Sequence, residues 1–249
     1  MNKILSVNKI KKYYHDLDTE IEAIKDITLD IYENEIVSIV GPSGCGKSTF
    51  LSIIAGIQNK SEGMINFKKE KVKIGYMLQK DSLFPWRTIL DNCLIGLEIE
   101  KKCTKENREK VISLLKKYGL GDFINKYPDS LSGGMRQRVS LIRTLAIDPD
   151  ILLLDEPLSA LDYQTRLALS DDIYNIIKNE NKTAIMVTHD LGEAVSISDR
   201  VIVLSKRPTT VKKIYNIEYE KRENPIKNRN KEEFRYYYNA IWSDLDVHV

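Results

Sequence analysis

The sequence predicts an α/β domain, and two observations predict it: short, strongly apolar runs alternate with amphipathic stretches, and one of those runs feeds straight into a glycine-rich loop and a helical segment. The runs at 36–40, 151–154, 184–187 and 201–204 show no in-out alternation, so they read as parallel strands covered on both faces. Between 101 and 118 the chain becomes charged and helix-forming, with Val111, Ile112, Leu114 and Leu115 as an apolar stripe. A helical subdomain is expected there. From about residue 221 the sequence is polar, until Phe234, Tyr237, Tyr238, Ile241, Trp242 and Leu245 recur at helical spacing. Such a stripe either docks a terminal helix on its own domain or meets a partner or a membrane; the first is expected, because stripes of this kind are usually core.

Composition narrows the function classes. With 249 residues and 42% hydrophobic content the chain can bury a sizeable core. Lysine and arginine number 38 against 36 acidic residues, a net charge of +2, so no global field favours nucleic acid or an anionic bilayer, and any polyanion must be held by a local site. Three cysteines, Cys45, Cys93 and Cys103, are odd in number and lack metal-ligand spacing, which points to a reducing, cytosolic compartment. Residues 1–10 lack the apolar core of a signal peptide, and no apolar run approaches the roughly 18 residues of a membrane span. A membrane role is therefore expected to run through a partner.

The string Gly41-Pro42-Ser43-Gly44-Cys45-Gly46-Lys47-Ser48-Thr49 follows the predicted strand Ile36–Val40 and precedes the helical run 50–55. That is the strand-loop-helix setting in which glycines let successive N–H groups converge on phosphate. Lys47 is placed to neutralise β and γ oxygens, Ser48 to offer a hydroxyl to Mg2+, and Thr49 to add a donor. Cys45 reads as a small space-filler, with a reactive thiol as the alternative. Downstream, the apolar run 151–154 ends in Asp155 and Glu156, at the sheet edge where open α/β sheets bind ligands. Asp155 is suited to holding Mg2+ through its water shell, and Glu156 to orienting or deprotonating an attacking water.

A second glycine-rich helix start, Leu131-Ser132-Gly133-Gly134-Met135-Arg136-Gln137-Arg138, lies between those two motifs and would form another anion site from Ser132 and the N–H groups of Gly133 and Gly134. This string resembles the signature of ATP-binding cassette proteins, in the order that family uses. The resemblance implies a P-loop nucleoside triphosphatase core with an antiparallel β subdomain and an inserted α-helical subdomain. The ATPase domain would span 1–220, with its helical part at about 81–148, and 221–249 would be a polar segment with an amphipathic helix. It also implies a head-to-tail dimer of two copies, in which Ser132, Gly133, Gly134 and Asp162 of one chain complete the ATP site of the other. Tyr14, or failing it Tyr13, would stack on adenine; Gln79 would reach Mg2+ and the attacking water; the loop Ser159-Ala160-Leu161-Asp162 would touch the partner; and His189 would contact the γ-phosphate.

Two departures from the family pattern, Asn34 in place of a glycine and a short 63–74 insert, lie away from the phosphate motifs and are expected to be neutral. Gln79-Lys80-Asp81-Ser82-Leu83-Phe84-Pro85-Trp86-Arg87-Thr88, then Asp91-Asn92 and Gly96-Leu97-Glu98, resemble importer cassettes of the nitrate, sulfonate and taurine group, as does Arg207-Pro208, although Thr209 stands where that group commonly has glycine. An importer motor is thus implied, with ATP and Mg2+, integral-membrane permease subunits, indirectly a solute-binding protein, no nucleic acid, and a place on the inner face of the membrane. An exporter cassette is the nearer alternative and a soluble ATPase acting on nucleic acid or the ribosome the more distant one. Phe84, Pro85 and Trp86 read either as local core of the helical subdomain or as a groove for a permease helix.

Overall fold

The computed structural model describes residues 2–15, 20–159 and 161–245; Ala160, in the expected partner-contact loop, lies outside them. The chain runs β1 (Lys3–His15), β2 (Glu20–Tyr32), β3 (Ile36–Val40), α1 (Lys47–Ile54), β4 (Glu62–Phe67) and β5 (Ile74–Met77). Three helices follow, α2 (Ile89–Ile99), α3 (Lys105–Lys117) and α4 (Gly133–Leu145), and then β6 (Ile151–Asp155), α5 (Tyr163–Asn179), β7 (Thr183–Val187) and α6 (Leu191–Ile197). It finishes with β8 (Arg200–Leu204), β9 (Thr209–Asn216), α7 (Pro225–Asn228) and α8 (Glu232–Asp244). The nine strands form one sheet, ordered β4, β1, β2, β9, β8, β3, β7, β6, β5.

The parallel block is β8, β3, β7, β6 and β5, and its members β3, β6 and β7 are buried along their whole length. Alternation decides which face each residue serves. Ile151, Leu153, Ile185 and Val187 pack with Phe50, Leu51, Ile53 and Ile54 of α1, while Leu152, Leu154, Ala184 and Met186 pack with Leu141 and Leu145 of α4 and the apolar stripe of α5. Strands β4, β1 and β2 pair antiparallel, and β9 joins them to the parallel block. Asn34, between β2 and β3, takes φ of 63°, the left-handed conformation for which its side chain is suited.

The helical part has its own core. Leu90, Cys93 and Leu94 of α2, Val111 and Leu115 of α3, and Val139 and Ile142 of α4 close on one another. Thr88 and Thr104 cap α2 and α3 by accepting the N–H groups of Asp91 and Asn107. Helix α4 therefore serves two cores, giving Leu141 and Leu145 to the sheet and Val139 and Ile142 to the helices. The C-terminal stripe docks on its own domain: Ile241 and Leu245 are buried against β8, β9 and α6, with Phe234, Tyr237 and Tyr238 partly buried beside them. Trp242 departs from that expectation, remaining 51% exposed with its ring stacked on Tyr238.

A buried ion pair ties the start of β3 to the start of its neighbour β8. Glu35 accepts the Tyr32 N–H at 2.6 Å and a forked pair of bonds from Arg200, at 2.6 and 2.9 Å. Removing one partner leaves a charge buried without its counter-ion, which typically costs about 3–5 kcal/mol, whereas replacing both with apolar side chains does not. Glu35→Ala is expected to lower the free energy of urea unfolding by that amount. The double variant Glu35→Met with Arg200→Met should lose clearly less; equal losses would show that packing, not charge, fixes this joint.

Candidate functional site

Strand β3 ends at Val40 and the glycine loop begins. Gly44 and Gly46 take φ of 72° and 109°, where a residue with a Cβ would be strained. Gly46 also occupies the N-cap of α1, with no side chain capping the helix, so the first-turn N–H groups point into the loop without a side-chain acceptor. Lys47 Nζ donates back across the loop to Gly41 O at 2.9 Å and Pro42 O at 3.0 Å. Thr209, buried at the start of β9, donates its hydroxyl to Cys45 O and anchors the loop from behind. The departure at Thr209 is thus structurally engaged. Cys45 is buried, and that burial pushes its thiol pKa up, which supports the space-filling reading over the reactive one.

Ser43, Gly44, Gly46, Lys47, Ser48 and Thr49, together with Glu156, line a cleft of about 310 Å³. Ser48 Oγ donates to Asp155 Oδ1 at 2.9 Å, and Tyr76 OH donates to Asp155 Oδ2 at 3.2 Å. Burial pushes the Asp155 carboxyl above its ordinary value, against the pull of those two hydrogen bonds. A hydroxyl and a carboxylate meeting at the mouth of a phosphate loop form a hard-oxygen donor set, which fits Mg2+.

Glu156 turns away from its neighbour. Its φ of 46° is left-handed, and its N–H is held by Val187 O at 2.9 Å, so β6 stops and the carboxylate projects from the sheet edge. Two residues distant in sequence meet one oxygen of it. Gln79 Nε2 donates to Glu156 Oε2 at 3.1 Å, and His189 Nδ1 lies 3.2 Å from the same atom. Ser159 Oγ, 3.3 Å from Gln79 Nε2, completes the group.

Tyr14 borders this site from β1. Its hydroxyl donates to Gln58 at 2.9 Å and lies 3.3 Å from Thr49 Oγ1, and its ring is 39% exposed. Ser132, Gly133, Gly134 and Asp162 do not line the phosphate cleft. They form a second cluster of helix starts. Ser132 caps α4 by accepting the Met135 N–H, and Asp162 caps α5 by accepting that of Thr165. A Cβ on Gly133 would come 3.1 Å from Leu161, and one on Gly134 3.0 Å from Thr165, so the paired glycines let α4 begin against the 161–165 segment.

Behind the cap, α4 grips the stretch that carries Gln79. Arg136 Nε donates to Asp81 Oδ2 at 3.0 Å, and Arg143 donates to the carbonyls of Asp81 and Ser82 at 2.7 and 2.8 Å. Beyond it Phe84 and Trp86 pack ring on ring, 5.3 Å between centroids, with Pro85 exposed and Trp86 72% exposed. Fully buried Asn92 holds this turn by accepting the Phe84 N–H at 2.7 Å and donating to the carbonyls of Phe84, Arg87 and Thr88. Tyr76, Arg143 and the bond from Thr209 were not anticipated from the sequence: Tyr76 sits in an ordinary strand, Arg143 lies beyond the signature string, and Thr209 registered only as a departure.

Among the described residues, no helix is long and apolar enough to cross a membrane. The ABC transporter family model matches residues 24–159. An uncharacterized ABC transporter ATP-binding protein of Bacillus subtilis is 42% identical over 97% of this chain and 95% of its own length. An aliphatic sulfonates import ATP-binding protein of Bacillus cereus is 37% identical over 84% of each chain. Among solved structures, a dimeric ATP-binding cassette in a post-hydrolysis state, bound to ADP and Pi, superposes with a TM-score of 0.74 at 33% identity, covering 87% of this chain and 100% of that one. The glycine loop, the acid pair and the second helix start thus sit in the cassette fold, and the chain belongs to the ABC transporter family as an ATP-binding and ATP-hydrolysing subunit.

Proposed function

We propose that the chain is the motor of an importer for small sulfonates or chemically related oxyanions, working as a head-to-tail pair beneath a separate membrane permease and, through it, an external solute-binding protein. One observation carries the reading: the segment 79–86 touches Glu156 at one end and presents Trp86 to solvent at the other. Events at the cleavable phosphate and at an exposed aromatic surface are therefore mechanically joined. The similarity to a sulfonate-import ATP-binding protein supports the solute class.

In this reading the triphosphate of ATP lies in the glycine loop, held by backbone N–H groups from 41–49 and by Lys47, with the adenine on Tyr14. Ser48, Asp155 and Gln79 would hold Mg2+, which would supply positive charge to the phosphate oxygens. Glu156 orients the attacking water and accepts its proton. Gln79 fixes the carboxylate and the water together, and His189 contacts the γ-phosphate. Ser132, Gly133, Gly134 and Asp162 of the second copy close the site, since they stand at helix starts outside their own cleft. As α4 swings with its cap, Arg136 and Arg143 carry the 79–82 segment along, and Phe84, Pro85 and Trp86 pass the motion to a permease helix. The motor is assigned to 1–220, at the inner face of the membrane.

Four experiments test this. Reconstituted with its permease, the chain should hydrolyse ATP several-fold faster when a binding protein loaded with taurine or an alkanesulfonate is added; stimulation by an unrelated solute alone would refute the solute class. Recovery with ribosomes or DNA, and no membrane protein, would refute transport. Mixed Ser132→Arg and Lys47→Ala chains should regain activity above either variant alone, because one composite site per mixed dimer is intact; loss of ATP-driven dimers with full activity retained in Ser132→Arg alone would refute completion by the partner. Trp86→Ala should change unfolding free energy by less than about 1 kcal/mol, as exposed sites do, keep basal ATPase activity, and lower permease recovery and uptake. A loss of several kcal/mol would make Trp86 a packing residue.

A further inference from the structure

The segment that carries His189 is framed by a buried charge cluster that neither the phosphate chemistry nor the partner contact uses. Thr188, one residue before the histidine, donates its hydroxyl to Glu193 Oε2 at 2.6 Å and accepts the N–H of Asp190, one residue after it, at 3.0 Å. Asp190 Oδ1 in turn accepts the Glu193 N–H at 3.1 Å. His189 is thus held on both sides by one threonine hydroxyl whose orientation depends on Glu193, a carboxylate only 2% exposed.

Glu193 is buried beside the partly exposed Asp190, and two positive charges close by favour the ionised form of the pair. Arg166 supplies one, with Nη1 3.2 Å from Asp190 Oδ2 and Nε 3.7 Å from Glu193 Oε1. Its Nη2 also holds Leu161 O at 3.0 Å, in the loop before Asp162. The second comes from the C-terminal segment. Arg229 lies so close over Gly192 that a Cβ there would stand 2.6 Å from its Nη1 and 3.0 Å from Asp190 Oδ1. Other side chains of that segment bind the same short helix: Tyr219 donates to Val195 O at 3.0 Å, Arg222 to Ser198 O at 2.9 Å and Asn228 to Ser196 O at 3.1 Å. Arg166 Nε and Arg229 Nε and Nη2 are buried without a hydrogen-bond acceptor, so Arg166 meets the pair through one hydrogen bond, Nη1 to Asp190 Oδ2, and Arg229 acts on it as a charge.

We propose that the C-terminal segment is a positioning element for hydrolysis: Arg229, seated on Gly192, supplies the second positive charge to the Asp190–Glu193 pair and so fixes the backbone on either side of His189. The inference rests on the reading of His189 as the γ-phosphate contact. Arg229 is a positioning residue and touches no nucleotide in this account. Its mode of action follows from Glu193, whose carboxyl is pushed up to about 7 by burial and by Asp190, while the Thr188 hydroxyl, Arg166 and Arg229 pull it down. Without Arg229 that downward pull is lost, and the carboxyl, already near its midpoint at neutral pH, goes further toward the protonated form. It then competes as a donor with the Thr188 hydroxyl, and the segment around His189 loosens.

The test uses the full chain and its ATP hydrolysis. Arg229→Met should lower kcat at pH 7 by about fivefold, the effect of a one-unit rise on a carboxyl that is half ionised at that pH, leave KM and ATP affinity within about twofold, and recover at pH 8.5–9. Arg229→Lys should retain most activity. Gly192→Ala adds one methyl where the guanidinium sits and favours the helix, so it should reproduce the kinetic defect without loss of melting temperature; it also tests the idea if Arg229→Met does not fold. In a Glu193→Gln background both changes should have no further effect. An unchanged kcat, a loss that does not recover at high pH, or an equal loss in the Glu193→Gln background would overturn the proposal. His189→Ala is assayed in parallel: full activity in that variant would mean that the assignment of His189 had failed, separately from any result at Arg229.

Discussion

The left-handed turn at Glu156 is the constraint on which the site depends. Strand β6 pairs in register with β7 up to Asp155 opposite Val187, and the chain then reverses its backbone sense at one residue with φ of 46°. A side chain in that conformation costs about 1–2 kcal/mol, and the strand pairing together with the bond from Glu156 N–H to Val187 O offsets it. The turn gives two adjacent acids opposite environments. Asp155 stays against the sheet with Ser48 and Tyr76, while Glu156 reaches outward to Gln79 and His189. With ordinary strand geometry the second acid would point to the opposite face of the sheet, away from both.

Helix α4 carries the consequences outward. It shares one face with the sheet core and another with the helical core, and two of its arginines hold the segment that delivers Gln79. A helix bound to both layers cannot tilt without moving that segment. Its first turn is also where the paired glycines allow close approach to the 161–165 segment, so the proposed partner surface and the segment that meets Glu156 are linked by one helix. The C-terminal segment holds α6 in a comparable way on the His189 side.

Much of this was legible in the chain. Continuous apolar runs gave the central strands because burial on both faces removes alternation, and the glycine loop, acid pair and second helix start are local strings whose chemistry depends on backbone placement. The terminal aromatic stripe likewise found its core, except that Trp242 stays largely exposed; helical spacing cannot say how wide the receiving groove is. What escaped were side-chain bonds between distant elements. Tyr76 to Asp155, Thr209 to Cys45 and Arg229 over Gly192 each join residues of different elements far apart in the chain, and none carries a spacing signal. The glycine at 192 is intelligible only once the arginine above it is seen.

In the proposed mechanism one carboxylate, turned out by that backbone reversal, governs hydrolysis. Glu156→Gln keeps the shape and the left-handed turn while removing the base, so the direct measurement is phosphate release together with the elution volume of the variant in ATP. The variant is expected to show no steady-state phosphate release and to elute as a stable ATP-bound dimer. Hydrolysis near the wild-type rate, with only monomer eluting, would contradict it.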